Sequence, residues 1–391
     1  MTIATIGGVG MWSVVVALPA VQAEFDVARG GASLPFTLTM IGFGLGGVLM
    51  GRLADRRGVL LPLLVGAVAI AAGYALAAQA SNLWQFAAAS GLLIGVGSSA
   101  NFVPLISDIS QWFERRRGIA VALCASGNYF AGAFWPTAVE HFIGTYGWRA
   151  THLGIAVVCL VTMVPLALCL RGRPPVAGPG SGGAAAPPAL GTLGLSPRVL
   201  QGVLAFAGLC CCVAMSMPQV HIVAYCGDLG YGVARGAQML SLMLAAGIVS
   251  RIASGFLADR LGGLATLLIG SVAQMSALVL YLLMDGLTSL YVISALFGLF
   301  QGGLVPSYAI VVRECFPAKE AGGRVGVIMA MTLFGMALGG WMSGVIFDMT
   351  GSYRAAFANG VAWNLLNALI ALWLLHRRTR YAAPRGVPQP V

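Results

Sequence analysis

Residues 51–58 read Gly-Arg-Leu-Ala-Asp-Arg-Arg-Gly, and residues 255–262 read Gly-Phe-Leu-Ala-Asp-Arg-Leu-Gly. Each octapeptide follows one long apolar run and precedes another. Residues 145–150 (Thr-Tyr-Gly-Trp-Arg-Ala) are echoed in the same way by residues 350–355 (Thr-Gly-Ser-Tyr-Arg-Ala). Because the two echoes share nearly one offset, the sequence indicates the duplication of a unit of about 200 residues.

The composition places these units in a lipid bilayer. Of the 391 residues, 59% are hydrophobic and only 9% are charged, whereas soluble domains carry about 25% charged residues. Apolar runs of about 20 residues, long enough to cross the hydrocarbon core as helices, recur along the whole chain. The sequence therefore predicts an all-α membrane protein with twelve transmembrane helices in two pseudo-symmetric six-helix bundles. The predicted helices cover residues 2–21, 34–54, 59–80, 83–109, 119–143, 150–170, 199–225, 234–258, 264–283, 290–312, 325–347 and 355–375.

The predicted domains follow from these runs. Residues 1–170 form a first six-helix bundle, and residues 199–376 form a second. Between them, residues 171–198 are rich in Pro, Gly and Ala, a composition that favours a flexible linker. Residues 377–391 form a short tail. The first apolar run has neither a charged segment before it nor a small-residue cleavage site, so it is expected to remain as the first helix.

The formal charge of +10 is distributed by loop and does not indicate a nucleic-acid partner. Of the 22 Lys and Arg residues, 17 fall in alternate loops on one side of the predicted bundle, four fall on the other side, and Arg251 lies inside a helix. We call the first side the arginine-rich face and the second the far face. Positive residues concentrate in cytoplasmic loops, so both termini are expected in the cytoplasm. The short termini favour a bacterial inner membrane.

The octapeptide at 51–58 lies between the second and third predicted helices, where it resembles the signature loop of the major facilitator superfamily. Three further stretches, at 111–127, 297–303 and 347–353, are similar to the monocarboxylate porter and oxalate:formate antiporter branch of that superfamily. The resemblance covers nearly the whole chain. It implies the major facilitator fold, a site between two halves that rock around it, and a small organic anion as the substrate.

The signature loop is expected to contribute to a gate on the arginine-rich face. Its glycines permit a tight turn, and its carboxylate can pair with an arginine or with the positive end of a helix. Such pairing would hold that face closed in one state only; alternatively, the charges anchor a solvated loop and set the topology. The predicted gating residues are Gly51, Asp55, Arg56, Asp108, Asp259 and Arg260, with Glu114, Arg115, Arg116 and Arg117 as further members of the charged cluster.

Arg251 is the charged residue predicted to lie deep inside a helix. It precedes Asp259 by two turns, and the repeat places Gly47 at the equivalent position of the first half. A charge at membrane depth marks a functional site unless it reaches the interface or a buried partner. A guanidinium stays ionised and offers paired donors to a carboxylate. In the resembled branch an arginine of the eighth helix binds the substrate carboxylate, which implies that role for Arg251.

Charge counting narrows the predicted substrate. Vertebrate-type monocarboxylate porters carry an Asp one turn before this arginine, where this chain has Gly247, so a substrate anion is the expected counter-charge. The oxalate:formate type adds a lysine in the eleventh helix, but here residues 326–342 carry no charge and Lys319 lies in a loop. One buried cation balances one carboxylate. The prediction is a monocarboxylate such as lactate or pyruvate, with anion exchange of the oxalate/formate type as the alternative.

Polar and aromatic residues of neighbouring helices are candidates for the rest of the substrate site. Tyr308 lies in the region of the tenth helix that lines the site in the resembled branch. The other candidates are Trp12, Asn101, Phe102, Asn128, Tyr129 and Gln301. For the amides, ordinary hydrogen bonding between membrane helices is the alternative.

Proton-coupled symport is expected from the resemblance. Proton transport usually uses a titrating group within the pathway, and His221 of the seventh helix is the candidate; a packing histidine is the alternative. The predicted partners are a small organic anion, a proton as co-substrate and the lipid bilayer, and the protein is expected to work as a monomer.

Other function classes fit the sequence less well. The eight cysteines show no metal-ligand spacing, and no nucleophile is clustered with a base, so no metal, no cofactor and no enzymatic activity are expected. A transporter-like anion sensor would want an added soluble domain or a long tail. A multidrug exporter usually prefers a buried acid and would not need Arg251.

Overall fold

The computed structural model describes residues 1–112, 117–170 and 193–381. All regular secondary structure in these residues is helical, and we number the membrane-crossing helices α1 to α12. Those of the first half are α1 (Thr2–Gly7 and Val9–Phe25), α2 (Arg29–Ala32 and Leu34–Arg57), α3 (Leu60–Ala78), α4 (Leu83–Ala88, Ala89–Gly95, Val96–Ser99 and Val103–Trp112), and the pair α5 and α6 within Arg117–Leu168. Those of the second half are α7 (Pro197–Asp228), α8 (Val233–Leu261), α9 (Gly263–Leu283), α10 (Leu287–Gln301 and Leu304–Cys315), α11 (Ala318–Thr350) and α12 (Tyr353–Tyr381).

The number of crossings follows from helix length. Eleven helical segments among the described residues are long and apolar enough to span a membrane. One of them, Leu123–Leu168, has 46 residues; as a single helix it would be about 69 Å long, more than twice the hydrocarbon thickness of about 30 Å. It is broken at Gly147, whose φ of 80° and ψ of 161° are not helical. α5 therefore ends and α6 begins there, the described chain crosses twelve times, and the predicted fold class is confirmed.

The two octapeptides form the same turn in the two halves. Gly58 ends α2 with φ 78° and ψ 174°, and Gly262 ends α8 with φ 86° and ψ 164°. Gly147 and Gly351, which belong to the second sequence echo, also have positive φ. Because L side chains rarely adopt this conformation, the duplicated glycines mark points at which both halves reverse direction.

Several helices extend beyond their predicted bounds. α12 continues to Tyr381, five residues into the predicted tail, and Arg377 in this extension donates a hydrogen bond to the carbonyl oxygen of Leu193. Residues 171–192 and 382–391, which hold most of the predicted linker and tail, lie outside the described residues. The domain boundaries stay a prediction.

Two equivalent helices, α4 and α10, are interrupted within the membrane. α4 changes from helix to turn at residues 100–102, and α10 does so at residues 302–303. Ala100, Gly302 and Gly303 keep right-handed helical dihedral angles, so each interruption is a local disturbance of the hydrogen-bond ladder and not a change of direction. Interrupted helices in corresponding positions of two repeats are the strongest general indication of where a membrane transporter binds its cargo.

The two halves meet along two helix pairs, α2 with α11 and α5 with α8. Near the far face, Thr37 of α2 donates a hydrogen bond to the carbonyl oxygen of Ala337 in α11, at 3.1 Å. Toward the arginine-rich face the same pair diverges: a Cβ on Gly47 would touch only Val103 of its own half, and one on Gly326 would meet nothing within 4 Å. The halves are therefore joined near the far face and apart near the arginine-rich face.

Arg29 joins the halves at the far face by reaching from α2 into the second half. Its guanidinium donates to both carboxylate oxygens of Asp228, at 3.0 and 3.1 Å, and to the Tyr353 hydroxyl, at 2.9 Å. The Asp348 carboxylate accepts the backbone N–H groups of Arg29 and Gly30, at 2.8 and 2.7 Å. Hydrogen bonds with an ionised partner are roughly twice as strong as neutral ones, so this cluster is a specific closure of one face.

The first half contains the matching cluster without a crossing arginine. Glu24 of α1 occupies the position equivalent to Asp228, and Trp148 of α6 corresponds to Tyr353. The Trp148 indole donates to Glu24, and Arg149 forms an ion pair with the same carboxylate. The acid of the first half is thus bound within its own half, whereas the acid of the second half is bound across the interface.

We expect Arg29→Gln to open the far face more often, because the substitution removes the charge that joins the halves. The measurement is the rate at which a membrane-impermeant thiol reagent, supplied at the far face, modifies a cysteine placed at Thr37 in a Cys169→Ser background. Hydrogen bonds to charged groups contribute about 1.5–3 kcal/mol each, so the rate should rise at least about tenfold.

Arg149→Gln is the matched control, since it removes the equivalent charge from a pair that lies within one half. It should leave the modification rate at Thr37→Cys unchanged. If Thr37→Cys is modified at the same rate with and without Arg29→Gln, Arg29 does not hold the halves together.

Candidate functional site

Arg251 is held near the middle of the membrane on α8. It is the 19th of the 29 residues of that helix, and helical side chains point toward the helix N-terminus, which here directs the guanidinium back toward the midplane. Among the described residues no carboxylate forms an ion pair with it. Its Nε is enclosed without a hydrogen-bond partner. The structure thus contains a half-buried cation whose counter-charge is not supplied by the described part of the chain.

Tyr129 of α5 provides the surface against which Arg251 lies. The guanidinium carbon is 4.6 Å from the centre of the Tyr129 ring, a distance at which the ring face attracts a cation. The same ring covers Gly247, where an added Cβ would lie 2.5 Å from the ring carbon Cε1. An Asp at 247 would therefore collide with Tyr129. Gly247, which stands where the vertebrate-type porters carry an Asp, thus allows an aromatic ring from the other half to reach Arg251.

Three of the candidate residues, Asn101, Phe102 and Asn128, line a small cavity within the first half. This small cavity is also lined by Gly8, Met11, Phe43 and Ser98. Asn101 donates to the Gly97 carbonyl oxygen at 3.4 Å, while its Oδ1 is buried without a partner, as is the Ser98 hydroxyl. Since buried polar atoms are usually satisfied, this cavity is suited to a small polar occupant such as water.

Trp12 of α1 lies where the two halves meet. A Cβ on Gly132 of α5 would be 3.0 Å from the Trp12 indole nitrogen and 2.4 Å from Leu244 of α8. The indole N–H is buried and has no acceptor. Gly132 follows Tyr129 by about one turn on the same helix, so Trp12 lies one layer closer to the far face than the Tyr129–Arg251 contact.

Gln301 is the last residue of α10 before its interruption, and it is fully buried. Its Oε1 accepts a hydrogen bond from the Gln219 side chain of α7, at 2.9 Å. The remaining Nε2 of Gln301 and Oε1 of Gln219 have no partner. Sequence reasoning selected Gln301 but missed Gln219, although a glutamine directly after Pro218 in an otherwise apolar helix was a usable signal.

Tyr308 is placed away from Arg251. It lies in the core of the second half, where its hydroxyl donates to Asn367 at 2.5 Å and Asn367 in turn donates to the Ser271 hydroxyl at 2.7 Å. Its hydrogen-bonding capacity is therefore used within one half in this conformation. A substrate contact for Tyr308 stays a prediction.

His221 lies beside the far-face cluster. It is fully buried on α7, and its Nε2 is 2.8 Å from the Gly340 carbonyl oxygen, while Nδ1 has no partner. Its ring is 5.7 Å from that of Tyr353, whose hydroxyl accepts from Arg29. The Tyr353 ring therefore contacts both His221 and the Arg29 guanidinium that joins the halves at the far face.

The predicted gating residues of the arginine-rich face are not engaged with one another in this conformation. Asp55, Arg56, Asp259 and Arg260 are exposed and form no ion pair with any described residue, and Gly51 packs only on its own half. Their pairing in a state in which this face is closed stays a prediction.

Asp108 of α4 accepts a hydrogen bond from the Trp112 indole at 3.1 Å. Burial raises the pKa of its carboxyl group, and the hydrogen bond opposes that rise. Glu114, Arg115 and Arg116, which the sequence adds to this charged cluster, lie outside the described residues, as does the side chain of Arg117.

Comparison with known proteins agrees with this architecture. A family model described as Major Facilitator Superfamily matches residues 1–290 and 266–389. The chain is similar to bovine monocarboxylate transporter 13, with 26% identity over 92% of this chain and 82% of that protein. It is also similar to mouse monocarboxylate transporter 11, with 31% identity over 78% of this chain and 70% of that protein.

The fold is shared with a solved transporter. A bacterial homologue of the human lysosomal transporter Spinster, in an inward-facing and occupied conformation, superposes with a TM-score of 0.76 at 12% sequence identity, covering 99% of this chain and 97% of that one. With twelve crossings, duplicated halves and a family match over nearly its whole length, this chain belongs to the Major Facilitator Superfamily and is an integral membrane transporter.

Proposed function

We propose that this transporter carries small monocarboxylates, of the lactate or pyruvate type, in symport with protons, by alternating access around Arg251. The observation that carries the proposal is a mid-membrane guanidinium without a carboxylate partner among the described residues. An intramembrane charge requires compensation, and a carboxylate is the ligand that a guanidinium binds best. The names of the two mammalian relatives, both monocarboxylate transporters, support the same substrate class.

Tyr129 and Arg251 together form the proposed carboxylate site. Since the ring belongs to the first half and the arginine to the second, a bound carboxylate would be held where the halves join. The cavity of Asn101, Phe102 and Asn128, with Trp12 one layer further, offers polar groups on the first-half side. Gln301 offers them on the second-half side.

The orientation proposed for the transporter follows from its charge distribution. The arginine-rich face is the cytoplasmic side of a bacterial inner membrane, with both termini on it. The conformation described above then binds substrate from the cytoplasm, because the halves are apart on that side. The predicted pairs of Asp55, Asp108 and Asp259 with neighbouring arginines would close this face in the opposite state, and the protein would work as a monomer.

We expect Arg251→Ala to abolish uptake of L-lactate and pyruvate into proteoliposomes. Removing one partner of a desolvated charge pair costs about 2–5 kcal/mol, so the transport efficiency should fall by at least about thirtyfold. Arg251→Lys keeps the charge but not the paired donors, and it should retain an intermediate activity.

Arg235→Ala is the control for Arg251, since it removes an exposed arginine from the first turn of the same helix. It should transport like the parent protein. If Arg251→Ala moves monocarboxylates normally, or if the parent protein moves none, the proposed substrate site is wrong.

Tyr129→Leu should raise the KM for the monocarboxylate, while Tyr129→Phe should leave it near the parent value. The reason is that the ring face, which phenylalanine keeps, holds the guanidinium in the position from which it binds the carboxylate. If losing this contact costs the bound state about 0.5–2 kcal/mol, the KM of the leucine variant is about 2- to 30-fold higher. Initial uptake rates over a range of substrate concentrations measure this. A phenylalanine variant as impaired as the leucine variant would assign the effect to the hydroxyl group instead.

His221→Gln should remove the stimulation of uptake by an inward proton gradient while leaving exchange of labelled for unlabelled substrate intact. Exchange needs binding and gating only, whereas net symport also needs a group that takes up and releases the proton. His152→Gln, at another buried histidine in α6, is the control and should stay proton-driven. Full proton stimulation in His221→Gln would exclude His221 as the coupling residue.

A further inference from the structure

Gln219 and Gln301 form an amide pair with unused hydrogen-bonding capacity. Their exposed fractions are 3% and 0%, and one hydrogen bond of 2.9 Å joins them. Gln219 Oε1 and Gln301 Nε2 have no partner. An unpaired buried polar group costs about 1–3 kcal/mol, so the pair destabilises the second half unless something else satisfies it.

The pair leaves the same hydrogen-bonding groups free whichever way the two amides are oriented. Each amide has one acceptor oxygen and one donor NH₂ group. When one donor–acceptor hydrogen bond joins them, one oxygen and one NH₂ remain, and exchanging both amide orientations leaves the same two groups. The pair therefore offers an adjacent donor and acceptor in either orientation.

The amide pair lies close to the proposed carboxylate site. Gln301 is the 15th of the 29 residues that span Leu287–Cys315, so it lies at the middle of the membrane. A Cβ on the following residue, Gly302, would be 2.3 Å from the carbonyl oxygen of Gly247, so α10 touches α8 at that point. Arg251 follows Gly247 by about one helical turn. Gln301 and Arg251 therefore lie at neighbouring levels of α10 and α8, two helices that touch.

The interruption of α10 is placed at the same point. The helical hydrogen-bond ladder is interrupted at residues 302–303, directly after Gln301, while Gly302 and Gly303 keep right-handed helical dihedral angles. A helix whose hydrogen-bond ladder is interrupted next to a pair of unsatisfied amides fits a position beside a small polar cargo.

We propose, on the basis of the monocarboxylate function above, that the Gln219–Gln301 pair recognises the substituent on C2 of the substrate. A 2-hydroxyl group donates to the free amide oxygen and accepts from the free NH₂ group, so it satisfies both. A 2-oxo group accepts from the NH₂ group only. An unsubstituted acid satisfies neither, so the preferred substrates are 2-hydroxy monocarboxylates, followed by 2-oxo acids.

The test compares three radiolabelled acids of three carbons in proteoliposomes: L-lactate, pyruvate and propionate. In the parent protein the transport efficiency should fall in that order, by about tenfold for each hydrogen bond lost. In the double variant Gln219→Leu/Gln301→Leu the three efficiencies should become similar, with propionate still carried, because Arg251 remains.

Gln274→Leu is the matched control. Gln274 of α9 is also fully buried with an unpaired Nε2, but its Oε1 faces Cys211 inside the second half. This variant should keep the parent order of the three acids. Should the leucine double variant not reach the membrane, the near-isosteric Gln219→Met/Gln301→Met protein serves the same purpose.

The outcomes separate the two proposals. Equal efficiencies for the three acids in the parent protein, or an unchanged order in the double variant, overturn the role of the amide pair and leave monocarboxylate transport standing. Absence of uptake for all three acids in the parent protein overturns both. A loss of order in Gln274→Leu as well would assign the discrimination to the packing of the second half and not to the amide pair.

Discussion

A positive charge held at the middle of a membrane must be compensated, and in this protein the described residues around Arg251 do not contain the compensating carboxylate. In the proposed transport cycle the substrate supplies this counter-charge and then leaves. Gly247 leaves room for an aromatic ring, and the Tyr129 ring stabilises the cation without neutralising it. A permanent acid at 247 would satisfy the arginine in every state and would weaken its attraction for an anionic cargo.

The duplication of the chain explains how such a site can be exposed to one side at a time. The turns at Gly58 and Gly262 show that the halves are built alike, and alike halves can rock about a common centre. Their contacts are nevertheless unequal. Glu24 is bound by residues of its own half, whereas Asp228 is bound by Arg29 of the other half. One ion pair is thus available to distinguish the two end states of the cycle, while the other only consolidates a rigid body.

The fold was predictable from the sequence because both of its signals are local: apolar runs set the crossings, and the repeated octapeptide sets the pairing of the halves. The position of Arg251 at membrane depth was also predictable, since a lone charge in an apolar run is conspicuous. The contact between Tyr129 and Arg251 was not predictable. It depends on how α5 is rotated against α8, and the spacing of residues along one helix does not give that rotation. The same limit explains Tyr308, since spacing does not say whether a residue points to the core of its own half or to the interface.

Arg29 was counted in the sequence only as one of the few positive charges of the far face. Its crossing contacts depend on a particular arrangement of the two halves, which no stretch of sequence encodes by itself. Gln219 was missed for a related reason: its position after Pro218 is a local signal, but its pairing with Gln301 depends on how α10 packs against α7.

The exposure of the far-face ion pair has a consequence for the environment of the protein. The side chain of Arg29 is 8% exposed, but that of its partner Asp228 is 40% exposed, so dissolved ions reach the carboxylate directly. Screening shortens the range of such an attraction from about 30 Å at 0.01 M ionic strength to about 8 Å at 0.15 M. At 3.0 Å the closed pair lies well inside either range, so salt acts on the attraction between the two groups after they have separated. Ionic strength at the far face would therefore change how readily that face closes again more than how firmly the closed pair is held.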